Sequence, residues 1–292
     1  MPINLKNWLM MKSGQMHSDI SPKALEMWNP AIRAEGYDSE TTITIYGVIG
    51  EDWWTGEGVT VKRIDAALRS IGDKPVTVYI NSPGGDMWEG IAIHNRLQEH
   101  SQKVTIKVIG IAASAASIIA MASDDRQIAT SSFLMIHNCW TCICGNRHFM
   151  REMADTMEEF DMAMADVYAD TSGQPVEEMS RMMDAESYIR GKKAVELGLC
   201  TSIIDPSEVK ETNDEESKQA NALKAMDMAL AKTGMPRAKR RELFSNLKST
   251  THNAGGGDTP SAITTGTQNA VAQIDLSASL SAANQILESL RS

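Results

Sequence analysis

Between residues 41 and 204, short apolar runs rich in β-branched residues alternate with segments of helical period. TTITIYGVIG (41–50), PVTVYI (75–80) and VTIKVIGI (104–111) read as strands, the last two buried. GVTVKRIDAALRSI (58–71) places Val61, Ile64, Leu68 and Ile71 at helical spacing, and residues 86–99 form a second helix. RQIATSSFLMIHN (126–138) holds one or two short strands that end at His137, GKKAVELGL (191–199) is a short helix, and CTSII (200–204) is a closing strand. Strands that alternate with helices imply a mostly parallel sheet covered by helices, an α/β domain over 41–204.

The segments around this core differ in character. Residues 1–40 have no clear period and read as an N-terminal arm that packs on another surface, a neighbouring subunit being one candidate. After Gly145 a long helix runs to about Asp170, with Met150, Met153, Met157, Phe160, Met164 and Val167 in heptad-like steps. A methionine stripe of this kind belongs to a core or a subunit interface rather than to a cofactor site. Residues 205–219 are polar and acidic and read as a linker. Residues 220–248 are helical with a basic patch at Arg237, Lys239, Arg240 and Arg241, 249–270 are a Gly/Ser/Thr-rich flexible tract, and 271–292 are an amphipathic helix carrying Leu276, Leu280, Leu287 and Leu290.

Composition excludes several functions. A net charge of −10 argues against generic binding to nucleic acid or anionic membrane. No apolar run is long enough to span a bilayer and the first residues lack a signal-peptide core, so a cytoplasmic protein is expected. Three of the four cysteines, Cys139, Cys142 and Cys144, crowd one stretch and Cys200 lies far away. Without a second ligand pair at zinc spacing, free thiols are expected and no metal.

Chemistry concentrates in three short segments. In GIAASAAS (110–117) a buried strand turns through small residues into a helix, which sets Ser114 at the helix mouth, where free N–H groups favour negative charge. In YINSPGGDMWEG (79–90) a Gly-Gly pair follows a buried strand and can expose backbone N–H groups, as an oxyanion hole requires. In FLMIHN (133–138) an apolar strand delivers His137 at its end. Each alone is as well explained by a tight turn, a close contact or an idle histidine. Together they put a Gly-Gly loop, a serine and a histidine at the ends of consecutive strands, which gather on one edge of a parallel sheet. A serine needs a base and the base needs an orienting group. MMDAESYIRGKKAVELGL (182–199) offers Asp184 and Glu186.

YINSPGG, GIAAS with its small-residue helix, MIH, the TSGQ turn and the AVELGL helix, in that order, resemble the proteolytic subunit of the Clp protease over roughly residues 41–204. The resemblance implies a Clp/crotonase-like fold of stacked ββα units, serine peptidase activity without metal or organic cofactor, and homo-oligomeric rings, typically two stacked. By the same resemblance Ser114 matches the nucleophile and His137 the general base. The family's aspartate falls on Glu186, a departure from the pattern, with Asp184 the nearby alternative. The backbone N–H groups of Gly85 and Ala115 match the oxyanion donors. Residues 150–167 match the handle helix through which rings stack.

Two further departures are an extension past the last strand and an N-terminal region unlike the axial loops that engage an unfoldase ATPase, so no such partner is expected. Both features, with LAKTGMPRAKRREL (230–243), resemble the Clp-related head maturation proteases of tailed bacteriophages and prophages, whose substrates are scaffold and capsid proteins. Two competing readings are a crotonase-type enzyme acting on acyl-CoA and a capsid-assembly protein whose peptidase is dispensable.

Overall fold

The computed structural model describes residues 20–36, 38–51, 58–139, 141, 145–212, 215–232, 235, 239–240 and 242–244. The chain divides into two units, residues 1–229 and 230–292, and everything below concerns the first. Cys142 and Cys144, the tract 249–270 and the leucine-bearing helix 271–292 lie outside the described residues.

The alternation in sequence becomes a seven-stranded sheet. Strands β2 (Thr42–Tyr46), β3 (Val76–Ser82), β4 (Val104–Ala113), β5 (Asp125–Ile128) and β8 (Ser202–Ile203) lie side by side and parallel. The long strand β4 serves two partners. Its first half, Thr105–Val108, pairs with β5, and its last three residues, Ile111–Ala113, pair with β6 (Phe133–Ile136). On its other side β6 takes β7 (Ser187–Arg190), which is antiparallel. β7 was not expected, because four residues between two helical segments give no legible period-2 pattern.

Helices cover the sheet through stripes that the sequence already marks. In α2 (Val61–Ile71), Ile64, Leu68 and Ile71 are buried, and Thr60 caps the start by accepting from the Arg63 N–H. α3 (Met87–Gln98) is capped by Asp86, and α4 (Ala115–Ala120) is buried along its whole length. α5 (Arg147–Ser172) ends at Gly173 in the left-handed conformation. α6 (Val176–Asp184) and α7 (Gly191–Glu196) flank β7. Arg126, on β5, ties this end together by donating to the carbonyls of Ser123, Thr171, Gly198 and Leu199.

The chain outside 41–204 departs from expectation. The described part of the N-terminal arm folds onto its own domain: α1 (Pro22–Met27) is followed by β1 (Ile32–Ala34), which pairs antiparallel with β9 (Val209–Glu211). The acidic stretch 205–219 is therefore not a plain linker. It forms a 3₁₀ turn at Pro206–Glu208, then β9, then the start of α8 (Glu215–Lys232). Acidic composition predicts solvation, but β9 uses backbone pairing, and Glu208 pairs with the half-buried Lys107 of β4.

Asn81 fastens the arm. It is fully buried on β3, its amide donates to the carbonyls of Asn29 (2.8 Å) and Ile32 (3.1 Å), and its side-chain oxygen accepts from the Ile111 N–H. The Trp28 indole N–H donates to the Asn81 carbonyl at 3.1 Å. Asn81→Ala strands two partly buried carbonyls and one buried N–H, so it is expected to lower the unfolding free energy by about 2–3 kcal/mol. Chemical denaturation of the two proteins side by side measures the loss.

Candidate active site

Strand register brings the chemistry together. Ala113 of β4 pairs with Met135 of β6, and the Ser114 N–H donates to the Met135 carbonyl at 2.9 Å. The chain passes from β4 into α4 at Ser114 and leaves β6 at His137, so both side chains emerge at the same sheet edge. The His137 Nε2 lies 2.8 Å from the Ser114 Oγ. On the antiparallel side Ile136 pairs with Ser187, so His137 and Glu186 both lie just past the same end of the β6–β7 pair.

The backbone is under tension at two of these positions. Among the described residues, Ser114 (φ 55°) and Glu186 (φ 48°) are the non-glycine residues with positive φ. Such conformations cost about 1–3 kcal/mol each and persist only where surrounding contacts hold them. The contacts at Ser114 are in place. Its carbonyl accepts from the Ser117 N–H (2.8 Å) and the Ser117 hydroxyl (2.6 Å), and Ser117 in turn meets the fully buried Tyr168 hydroxyl at 2.7 Å. Ser114 stands at the N-cap position of α4 but its hydroxyl makes no capping bond, which leaves it to His137.

The Gly-Gly loop meets this turn closely. A Cβ on Gly84 would come within 2.8 Å of the Ser114 Cβ and 2.6 Å of the Ala113 carbonyl, and one on Gly85 within 2.2 Å of the Ile49 carbonyl. Both glycines also have positive φ, so the pair serves close approach and conformation together. Gly85, Ser114, Ala115 and His137 line one cleft. Among the described residues no hydrogen bond takes up the N–H of Gly85 or of Ala115. Two unengaged donors beside a hydroxyl–imidazole pair can hold an oxyanion.

The electrostatics suit a neutral base. Burial pushes the His137 imidazole below its ordinary pKa, and the Glu186 carboxylate opposes that shift. Asp184 is differently engaged, accepting from the Asn138 side-chain amide at 2.8 Å. Of the two candidate carboxylates, Glu186 is the one whose charge bears on the His137 imidazole. No hydrogen bond joins it to the imidazole, and its Oε1 instead accepts from the Ser21 hydroxyl at 2.8 Å. Cys139, also in the cleft, is no rival nucleophile: burial and the neighbouring Asp161 push its thiol up to about 12. Among the described residues no cluster of side chains could hold a metal ion.

Much of the remaining cleft wall is apolar, formed by Met87, Trp88, Met157, Phe160, Met164 and Tyr168, with Asp86, Asn138 and Thr141 beside them. Three of these belong to the stripe on α5, which does more than build core. Met153 is buried, Met150 is exposed, and Met157, Phe160 and Met164 wall the cleft. The seven-residue spacing from Met157 to Met164 marks one helix face but not what faces it. Ser21 lacked any sequence signal, because it lies 165 positions from its partner Glu186.

Comparison with known proteins finds relatives over about half of the chain. The ATP-dependent Clp protease proteolytic subunit of Mesostigma viride is 30% identical over 155 residues, which span 52% of this chain and 66% of that protein, just under two thirds of its length. A ClpP1 mutant from Listeria monocytogenes superposes with a TM-score of 0.49 at 22% identity, over 61% of this chain and 94% of that one. No helix among the described residues is long and apolar enough to cross a membrane. Residues 60–207, just over half of the 292-residue chain, match the family model described as Clp protease, and the chain belongs to that family.

Proposed function

We propose that this chain is a serine endopeptidase, and the observation that carries the reading is the 2.8 Å pairing of the Ser114 hydroxyl with the His137 Nε2 beside two unengaged N–H groups. Ser114 attacks the scissile carbonyl as His137 takes its proton, and the N–H groups of Gly85 and Ala115 stabilise the oxyanion. His137 then gives the proton to the leaving amine, and water enters by the same route to release the acyl group. Because Nε2 accepts from the serine, Nδ1 carries the ring proton on the neutral base. Glu186 is the group that favours this tautomer and the imidazolium that follows.

The finer reading is head maturation. The extension past the peptidase domain and the unusual N-terminal arm support an enzyme that acts on phage scaffold and capsid proteins in homo-oligomeric rings of one or two layers, without an unfoldase. Intact-mass measurement tests both levels. Wild-type protein incubated with capsid and scaffold proteins is expected to cleave them, and Ser114→Ala to leave them whole. Equal cleavage by both proteins sinks the peptidase assignment. Cleavage of an unstructured protein but not of capsid or scaffold proteins sinks the finer one.

The pH dependence has a definite sign. The base works only when neutral, and His137 titrates below its ordinary value of 6.5, so kcat/KM is expected to rise through a midpoint below 6.5 and to be flat by neutral pH. Glu186→Gln removes the charge that holds the value up. The acid limb then moves to still lower pH while kcat falls by roughly two to four orders of magnitude. A pH–rate profile of the two proteins reads both effects.

The cleft wall sets a further expectation. Met87, Met157, Phe160 and Met164 offer a carboxylate no partner and Asp86 beside them repels one, so peptides with Leu, Met or Phe before the scissile bond are preferred over Asp. A discrimination of about 100-fold in kcat/KM is expected across a matched fluorogenic peptide series.

A further inference from the structure

The arm that precedes the peptidase domain reaches the site itself. Ser21 is buried, begins α1 as its N-cap, and donates its hydroxyl to the Glu186 Oε1 at 2.8 Å. Nothing in the serine chemistry outlined above uses it. Yet Glu186 is the residue that most needs holding: it is exposed, sits at φ 48° just past the C-cap of α6, and carries its carboxylate on a flexible stem one methylene longer than aspartate. We propose that Ser21 is a positioning residue of this active site, whose hydroxyl fixes one carboxylate oxygen of Glu186 so that the other is presented to His137. The proposal rests on the serine peptidase reading.

Three observations support it. The Glu186 backbone is restrained by its N–H bond to the Met183 carbonyl and by the register of β7, but among the described residues Ser21 supplies the one side-chain hydrogen bond to the carboxylate. The segment that bears Ser21 is itself fixed, because Trp28 and Asn29 are tied to Asn81 on the strand that leads to the Gly-Gly loop. Among the described residues no charged group pairs with the exposed Glu186 carboxylate. Tyr188 lies beside the Ser21 hydroxyl, Lys23 stands over the Tyr188 ring, and Asp184 and Asp161 are engaged with Asn138 and the Cys139 N–H. A neutral donor leaves the carboxylate its full charge toward the imidazole, which a salt bridge would not.

The test compares wild type with Ser21→Ala, Ser21→Gly and Ser21→Thr. Glycine removes the hydroxyl yet keeps a good helix start, so it separates positioning from folding. Ser21→Ala and Ser21→Gly are expected to lose about tenfold in kcat with KM unchanged. Ser21→Thr, which keeps the hydroxyl, is expected to restore most of the rate. The His137 ring resonances, followed by NMR in a Ser114→Ala background, should titrate at lower pH in both hydroxyl-free variants and return with threonine. That second reading needs no turnover, so it judges the Ser21 assignment even if no peptide is ever cleaved. An unmoved His137 midpoint in Ser21→Gly overturns the proposal, and so does a rate in Ser21→Gly equal to or above that of the wild type.

Discussion

The hydrogen bond from the Ser114 N–H to the Met135 carbonyl is the contact on which the rest of the site depends. It is the last rung of the short ladder between β4 and β6, and that ladder exists because β4 leaves β5 halfway and takes a second partner. With this register, the serine and the histidine leave adjacent strands side by side. A slip of one residue would turn every side chain of β6 to the opposite face and carry His137 away from the cleft. The fork in β4 is therefore more than a topological detail, because it sets a distance that catalysis by this pair would require.

Around that rung the structure holds two strained residues in place by different means. Ser114 is held from beneath by a buried polar chain through Ser117 to Tyr168, on α5. Glu186 is held by its N–H bond to the Met183 carbonyl on one side and by the hydroxyl of Ser21 on the other. Polar links of this kind are worth little individually, but where they are buried, as between Ser117 and Tyr168, an unmade one is costly, so each partner restrains the other. The Gly-Gly loop closes the arrangement by lying so near Ser114 that no side chain would fit between them.

Much of this was legible in the sequence, and the reason is geometrical. A parallel sheet gathers the ends of its strands on one edge, so a Gly-Gly loop, Ser114 and His137 at three such ends meet without further information. Local periodicity likewise gave the buried faces of α2 and the length of α5. What stayed hidden depends on partners far away in the chain. SYIR is too short to declare itself as a strand, and its pairing with β6 brings Glu186 to the end of the sheet where His137 lies. The acidic stretch 205–219 read as solvated, while β9 within it answers to β1 near the other end of the domain. The stripe on α5 revealed a face but not that Met157, Phe160 and Met164 border a cleft.

The antiparallel pairing of residues 32–34 with residues 209–211 joins the two extremes of the domain. A ribosome delivers the chain from one end, so the arm must wait for nearly the whole domain to emerge before its strand has a partner. Glu186 and the β7 strand that presents it also come late in synthesis. The cleft can thus be shaped early by β3, β4 and β6, while its full set of polar groups is assembled only after the last strands close. For a chain with this architecture, the polar surroundings of the cleft are completed only when synthesis of the domain is nearly over.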